Sequence, residues 1–177
     1  DSHKKSFVNL SFLNPIGGGD WSGDNSLKNY FTSLGKNGKE LIVHPGIRHS
    51  LIHVLDVMMK VLDTVCKLYT PSKNEIVDSE IVSQEPFLKD ELWIAEFLKK
   101  LYHDKGFIIK TDQKLSSNET ITTDMFHVPD YKQITDWVPR WDATTALIKT
   151  IEWHQARERG ANMQRYSFNQ IDTFLNQ

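Results

Sequence analysis

Residues 7–13 read Phe-Val-Asn-Leu-Ser-Phe-Leu, a short run rich in β-formers, and Asn14-Pro15 closes it. The chain then passes through Ile16 into three consecutive glycines, Asp20 and Trp21. This pattern predicts a β-strand that ends in a glycine loop. Glycine allows positive φ and close approach of a ligand, and crevices form at the carboxyl ends of strands in open α/β sheets. A wide turn would use the same residues, so the loop alone leaves both readings open.

The chain has 177 residues, 39% of them hydrophobic, enough for one domain with a real core. No apolar run reaches membrane-spanning length, and Asp1-Ser-His-Lys-Lys5 lacks the pattern of a signal peptide, which predicts a soluble, cytoplasmic protein with no membrane partner. A net charge of -2 with scattered Lys and Arg argues against nucleic acid as a partner. The single cysteine, Cys66, has no internal disulfide partner and falls among apolar residues, which favours a structural role over a reactive thiol.

Local patterns predict the remaining elements. Leu27, Tyr30, Phe31 and Leu34 recur at helical spacing behind Ser26, and residues 40–44 read as a strand. Ser50 is the expected N-cap of a long helix to about Tyr69, with Leu51, Leu55, Met58, Leu62 and Val65 on one core-facing stripe. After a polar loop from Thr70 to Ser79, a strand is expected over 80–84, a helix from Pro86 toward Gly106, and strands over 107–110 and 122–128. Tyr131 should open a turn of helix. Trp137-Val-Pro-Arg-Trp141 should be extended, Asp142 should cap a helix that Gly160 ends, and Ser167 with Gln170 should form a capping box burying Phe168, Ile171 and Phe174. The expected fold class is α/β, mostly helical with a few short strands.

Two constellations invite chemical readings. His49 and His53 stand four apart at the start of the expected helix, a spacing that suits a metal, but Ser50 follows His49 where the helical zinc signature needs glutamate, and no metal is expected. Asp20 and Asp24 flank Trp21, but in a glycine-rich loop they suit solvation or turn formation better than paired catalysis. Trp137, Trp141 and Trp153 could form a sugar-stacking surface, though burial against a helix explains them as well.

Asn14-Pro-Ile-Gly-Gly-Gly-Asp-Trp21 resembles the Asn-Val-Ile-Gly-Gly-Gly-Asp-Trp segment of the CDP-glucose 4,6-dehydratases, members of the extended short-chain dehydrogenase/reductase class. Residues 42–55, through Pro45, His53, Val54 and Leu55, are similar to a second family segment. Trp137-Val-Pro-Arg-Trp-Asp142, residues 145–153 and Gly160-Ala-Asn-Met163 look like the family's closing helix and tail. The stretch from about Thr70 to Tyr131 has no match of this kind.

The resemblance implies a single C-terminal substrate-binding domain over residues 1–177, with residues 1–21 supplying the last strand of a Rossmann-type sheet and its glycine loop. It also implies that the dinucleotide fingerprint, the Tyr-x-x-x-Lys pair and bound NAD belong to an N-terminal half outside this sequence. In that setting Asn14, Gly18, Gly19, Asp20, Trp21, Lys28, His49 and His53 would bind a nucleotide sugar, most simply a CDP-hexose, and no catalytic residue would lie in this chain. Where the family carries two arginines this chain has Asn25 and His49, with Lys28 offering some replacement charge, and imidazole cannot form the bidentate fork of guanidinium. Weaker phosphate binding is therefore expected. The implied enzyme oxidises C4 of the hexose with NAD, eliminates water and returns the hydride, pairing as a homodimer through the other half. An epimerase or reductase on another sugar nucleotide, or a non-catalytic binding or scaffolding module, would fit the altered residues too.

Overall fold

In a computed structural model the described residues are 8–12, 15–19, 40–44, 47–68, 77–81, 87–101, 108–111, 132–133 and 137–177. Seven short strands and four helices lie along them. They are β1 (Val8–Phe12), β2 (Glu40–Val43), β3 (Arg48–Ser50), α1 (Val54–Leu68), β4 (Val77–Ile81), β5 (Leu88–Asp90), α2 (Glu91–Leu101), β6 (Ile108–Thr111), β7 (Lys132–Gln133), α3 (Ala143–Glu158) and α4 (Met163–Leu175). The mixed α/β, helix-rich class is as expected.

Strands β1, β4 and β7 form a parallel sheet in that order, with Val8 opposite Val77 and Phe12 opposite Ile81. Two further strands thus follow β1 in its own sheet. Strands β2 and β6 pair in parallel, and β3 and β5 pair antiparallel. Ile16, Val43, Leu51, Ile52, Ile94, Leu98, Leu147 and Ile151 belong to one buried apolar cluster, which draws on the glycine loop, β2, α2 and α3.

Several local expectations give way to long-range pairing. Ser50 does not cap α1. Residues 48–50 are drawn into the ladder with Lys89 and its neighbours, and the helix begins only at Val54. That ladder also delays the second helix to Glu91, where the Asp90 side chain accepts from the Trp93 N–H at 2.7 Å. The strand expected over 80–84 occupies Val77–Ile81, and Lys132–Gln133 is a strand where a helical turn was expected.

The expected core stripe is split: Leu51, just before α1, is fully buried and Leu55 half-buried, but Met58, Leu62 and Val65 are 49%, 52% and 41% exposed. Cys66 is exposed too, against the expectation that it packs among apolar residues. The last helix starts at Met163 behind Asn162, whose side chain accepts from the Arg165 N–H, so Ser167 and Gln170 lie inside the helix rather than at its start. Phe174 is buried there but Phe168 is 57% exposed. Asp142 does cap α3, accepting from the Thr145 N–H at 2.7 Å, and Gly160 closes it at φ +74. The elements expected over 27–34 and 122–128 lie outside the described residues.

Candidate functional site

The glycine loop is fastened to the start of α1. The Ile16 N–H donates to the Ile52 carbonyl at 2.9 Å, the Val54 N–H donates to the Ile16 carbonyl at 2.8 Å, and Ile16 bridges His53 in parallel. The glycines make this approach possible. A Cβ on Gly17 would come within 2.5 Å of Val54 Cγ1, and one on Gly18 would run into the Trp153 indole. Gly19 has φ +91 and open space around its Cα.

His53 sits beneath this loop, 1% exposed, its ring edge-on to Trp141 at 4.7 Å between centroids. Its Nδ1 accepts from the Leu55 N–H at 3.2 Å, which places the proton of the neutral ring on Nε2. That Nε2 has no hydrogen-bond partner, and it lies 3.7 Å from where a Gly17 Cβ would stand. Burial lowers the His53 pKa to about 4, so the imidazole is neutral near pH 7.

Trp141 continues the stack to Phe174, edge-on at 5.0 Å, and its Nε1 donates to the Gln177 side chain. Asp56, buried in the first turn of α1, accepts the Arg140 N–H at 2.5 Å and the Trp141 N–H at 3.4 Å. Desolvation nevertheless raises its pKa, with the two backbone hydrogen bonds and the Arg140 charge acting the other way. The Arg140 guanidinium reaches the Phe174 carbonyl near the C-terminus of α4, where a cation is favoured. On the other side of the loop, Trp153 Nε1 donates to Ser167 Oγ at 3.0 Å.

His49 lies elsewhere in this arrangement. It stands on β3 and not on the helix, so it shares no helical face with His53. Glu91, 1% exposed at the start of α2, takes His49 Nε2 on Oε1 at 3.1 Å and His44 Nδ1 on Oε2 at 3.2 Å. The His44 N–H adds a third bond at 2.8 Å. Both facing ring nitrogens lie within hydrogen-bond distance of the carboxylate, which accepts from them when ionised. Among the described residues no group of three or more His, Cys, Asp or Glu side chains is placed to hold a metal ion.

Of the expected binding residues, Gly18, Gly19 and His53 therefore share one locus and His49 belongs to a second, while Asn14, Asp20, Trp21 and Lys28 lie outside the described residues. Sequence reading did not find Asp56 or Glu91. Asp56 left a trace, a lone carboxylate within the apolar run from Leu51 to Met59. Glu91 left none, since a glutamate in a first helical turn is ordinary. A separate cleft of about 150 Å³ between α3 and α4 is lined by Lys149, Glu152, Tyr166, Gln170 and their neighbours, and none of the expected residues lines it.

Gly17-Gly18-Gly19-Asp20-Trp21-Ser22 lacks the third glycine of a dinucleotide fingerprint, and the loop is packed on His53, Val54 and Trp153. These residues do not fit an NAD pyrophosphate cradle.

No family model matches the chain. Among the described residues no helix is long and apolar enough to cross a membrane. Over 176 residues, 99% of its length, the chain is 22% identical to the CDP-glucose 4,6-dehydratase of Salmonella typhimurium, and it spans about half of that relative, 48%. The chain is thus distantly similar to a sugar-nucleotide dehydratase.

Proposed function

We propose that this chain is the sugar-nucleotide-binding part of a CDP-glucose 4,6-dehydratase-like enzyme, and that the glycine loop with Asn14, Asp20, Trp21 and Lys28 forms its binding edge. One observation carries the reading. The three sequence segments that resemble the dehydratases close on one another in space, through the Ile16–His53 bridge, the Gly18–Trp153 contact and the His53–Trp141 stack. The similarity to the Salmonella typhimurium enzyme along almost the whole chain supports it.

In this reading NAD and the redox groups reside in the rest of a longer polypeptide, and this domain selects the nucleotide sugar. The substrate is a CDP-hexose, the product a 4-keto-6-deoxy sugar nucleotide, the setting cytoplasmic and the assembly a homodimer through the other half. His53 holds the loop from below as a neutral ring, and Glu91 holds His49 at a second locus on β3.

A second reading has its own support. With His49 Nε2 engaged by Glu91 at 3.1 Å, that nitrogen is taken, and an imidazole lacks the bidentate fork of arginine, which suits a non-catalytic binding or scaffolding module. Calorimetric titration with CDP-glucose separates the two. Saturable micromolar binding by the protein from its native gene, weakened about tenfold or more by Asn14→Ala, supports the enzyme reading. Absence of binding supports the module.

A further inference from the structure

The cleft between α3 and α4 belongs neither to the glycine loop nor to the Glu91 cluster, and one polar stripe from each helix lines it. Lys149 and Glu152 contribute from α3, and Tyr166, Asn169, Gln170 and Thr173 from α4, at the spacing that puts side chains on one helical face. Its volume of about 150 Å³ is that of a cavity that admits a single six-membered ring.

Bonds between the two helices hold its walls. Gln170 Nε2 donates across to the Lys149 carbonyl at 2.9 Å, and Trp153 Nε1 donates to Ser167 Oγ at 3.0 Å. Lys149 and Glu152 pair at 2.8 Å, and Arg159, the next cation along, donates to the Gln155 side chain at 2.9 Å. The charges lining the cleft therefore cancel. What is left over is a mixture of donors and acceptors. Desolvation raises the Tyr166 pKa above its ordinary value, so its hydroxyl is neutral, able to donate and to accept, and it makes no hydrogen bond among the described residues. Gln170 keeps its carbonyl oxygen, Lys149 keeps further N–H groups and Glu152 further lone pairs.

This lining selects against net charge. An anion would meet the Glu152 carboxylate, and a cation would meet the Lys149 ammonium. A hydroxyl group meets both at once, donating to the carboxylate and accepting from the ammonium through one oxygen while the ion pair stays intact. We propose that the α3–α4 cleft is a binding site for an uncharged, hydroxylated ring of monosaccharide size, with Lys149 and Glu152 taking one hydroxyl and Tyr166 another. The site is separate from the glycine loop and does not depend on the reading under Proposed function.

Saturation-transfer difference NMR on the protein from its native gene, with methyl α-D-glucopyranoside as the probe, tests it. The expected result is saturable transfer at millimolar probe, weakened about fivefold or more by Tyr166→Phe and by Glu152→Gln, each of which removes one hydrogen-bonding feature and keeps the side-chain outline. Asn14→Ala should leave it unchanged. The absence of saturable transfer would overturn the inference. Transfer abolished by Asn14→Ala and untouched by Tyr166→Phe and Glu152→Gln would put the sugar at the glycine loop and overturn it as well. Tighter binding of glucose 6-phosphate that Tyr166→Phe weakens would assign the cleft to an anion and overturn the uncharged class.

Discussion

Gly18 lies flat against the indole of Trp153, so that a Cβ at position 18 would be driven into Cγ, Cδ2 and Cε2 of the ring. The Trp153 ring is itself only 8% exposed and tethered through Nε1 to Ser167, so it has little room to yield. Gly18→Ala should therefore lower stability by about 1–3 kcal/mol, the range for overpacking a filled core. Combining it with Trp153→Ala should remove most of that cost, giving a double-mutant coupling of about 1 kcal/mol or more. Gly19 differs, since nothing lies within 4 Å of its would-be Cβ and only its φ of +91 resists a side chain. Gly19→Ala should cost about 1–2 kcal/mol, with no relief from Trp153→Ala. Urea denaturation of the wild type, the three single variants and the two double variants checks both statements.

His53 should make the protein acid-sensitive. Its pKa falls from 6.5 in the unfolded chain to about 4 in the fold, so between these values the unfolded state binds more protons. Stability is therefore full above about pH 6.5 and declines as pH drops toward 4, by about 3 kcal/mol in total. Asp56, with its raised pKa, acts in the opposite direction above 3.8, so the wild-type slope is a net value. Comparison with His53→Phe, which keeps an aromatic edge on Trp141, isolates the histidine. The variant's stability should vary less over this window, and an unchanged slope would exclude His53 as the cause.

Asp56 joins α1 to the Pro139-Arg140-Trp141 segment across 84 residues of sequence. Asp56→Ala leaves the Arg140 N–H, held at 2.5 Å, without its acceptor, and should cost about 1–3 kcal/mol. Asp56→Asn keeps one oxygen for that N–H and removes a charge whose burial is unfavourable, so its cost should stay below about 1 kcal/mol. A thermal melt in which both variants match the wild type would contradict this account of the segment.

How far the fold was legible follows from the range of the forces involved. The strand before the glycine loop, the strand at Ile108, the Asp142 cap and the Gly160 stop all depend on neighbours in sequence, and they stand where local chemistry put them. The start of α1 does not, because Arg48–Ser50 pairs with Leu88–Asp90 some forty residues away and outweighs the capping preference of Ser50. The same distance hid Glu91, whose two histidine partners lie 42 and 47 residues earlier. The apolar period at α1 was read correctly and Leu51 is buried as expected, but Met58, Leu62 and Val65 face outward. Periodicity shows that a face is apolar; whether this chain or another surface buries it depends on what packs alongside. At the site, the resemblance drew attention to His53 and the glycines, but the separation of His49 from them arises from β3 and has no local signature.

The account turns on whether a nucleotide sugar is the ligand and dehydration the outcome. The most direct measurement is incubation of the protein from its native gene with CDP-glucose, followed by mass spectrometry of the nucleotide product. The account predicts a CDP-sugar lighter by one water, formed without net consumption of NAD, and formed more slowly by Asn14→Ala. Recovery of unchanged CDP-glucose, with no saturable binding in the parallel titration, would contradict it.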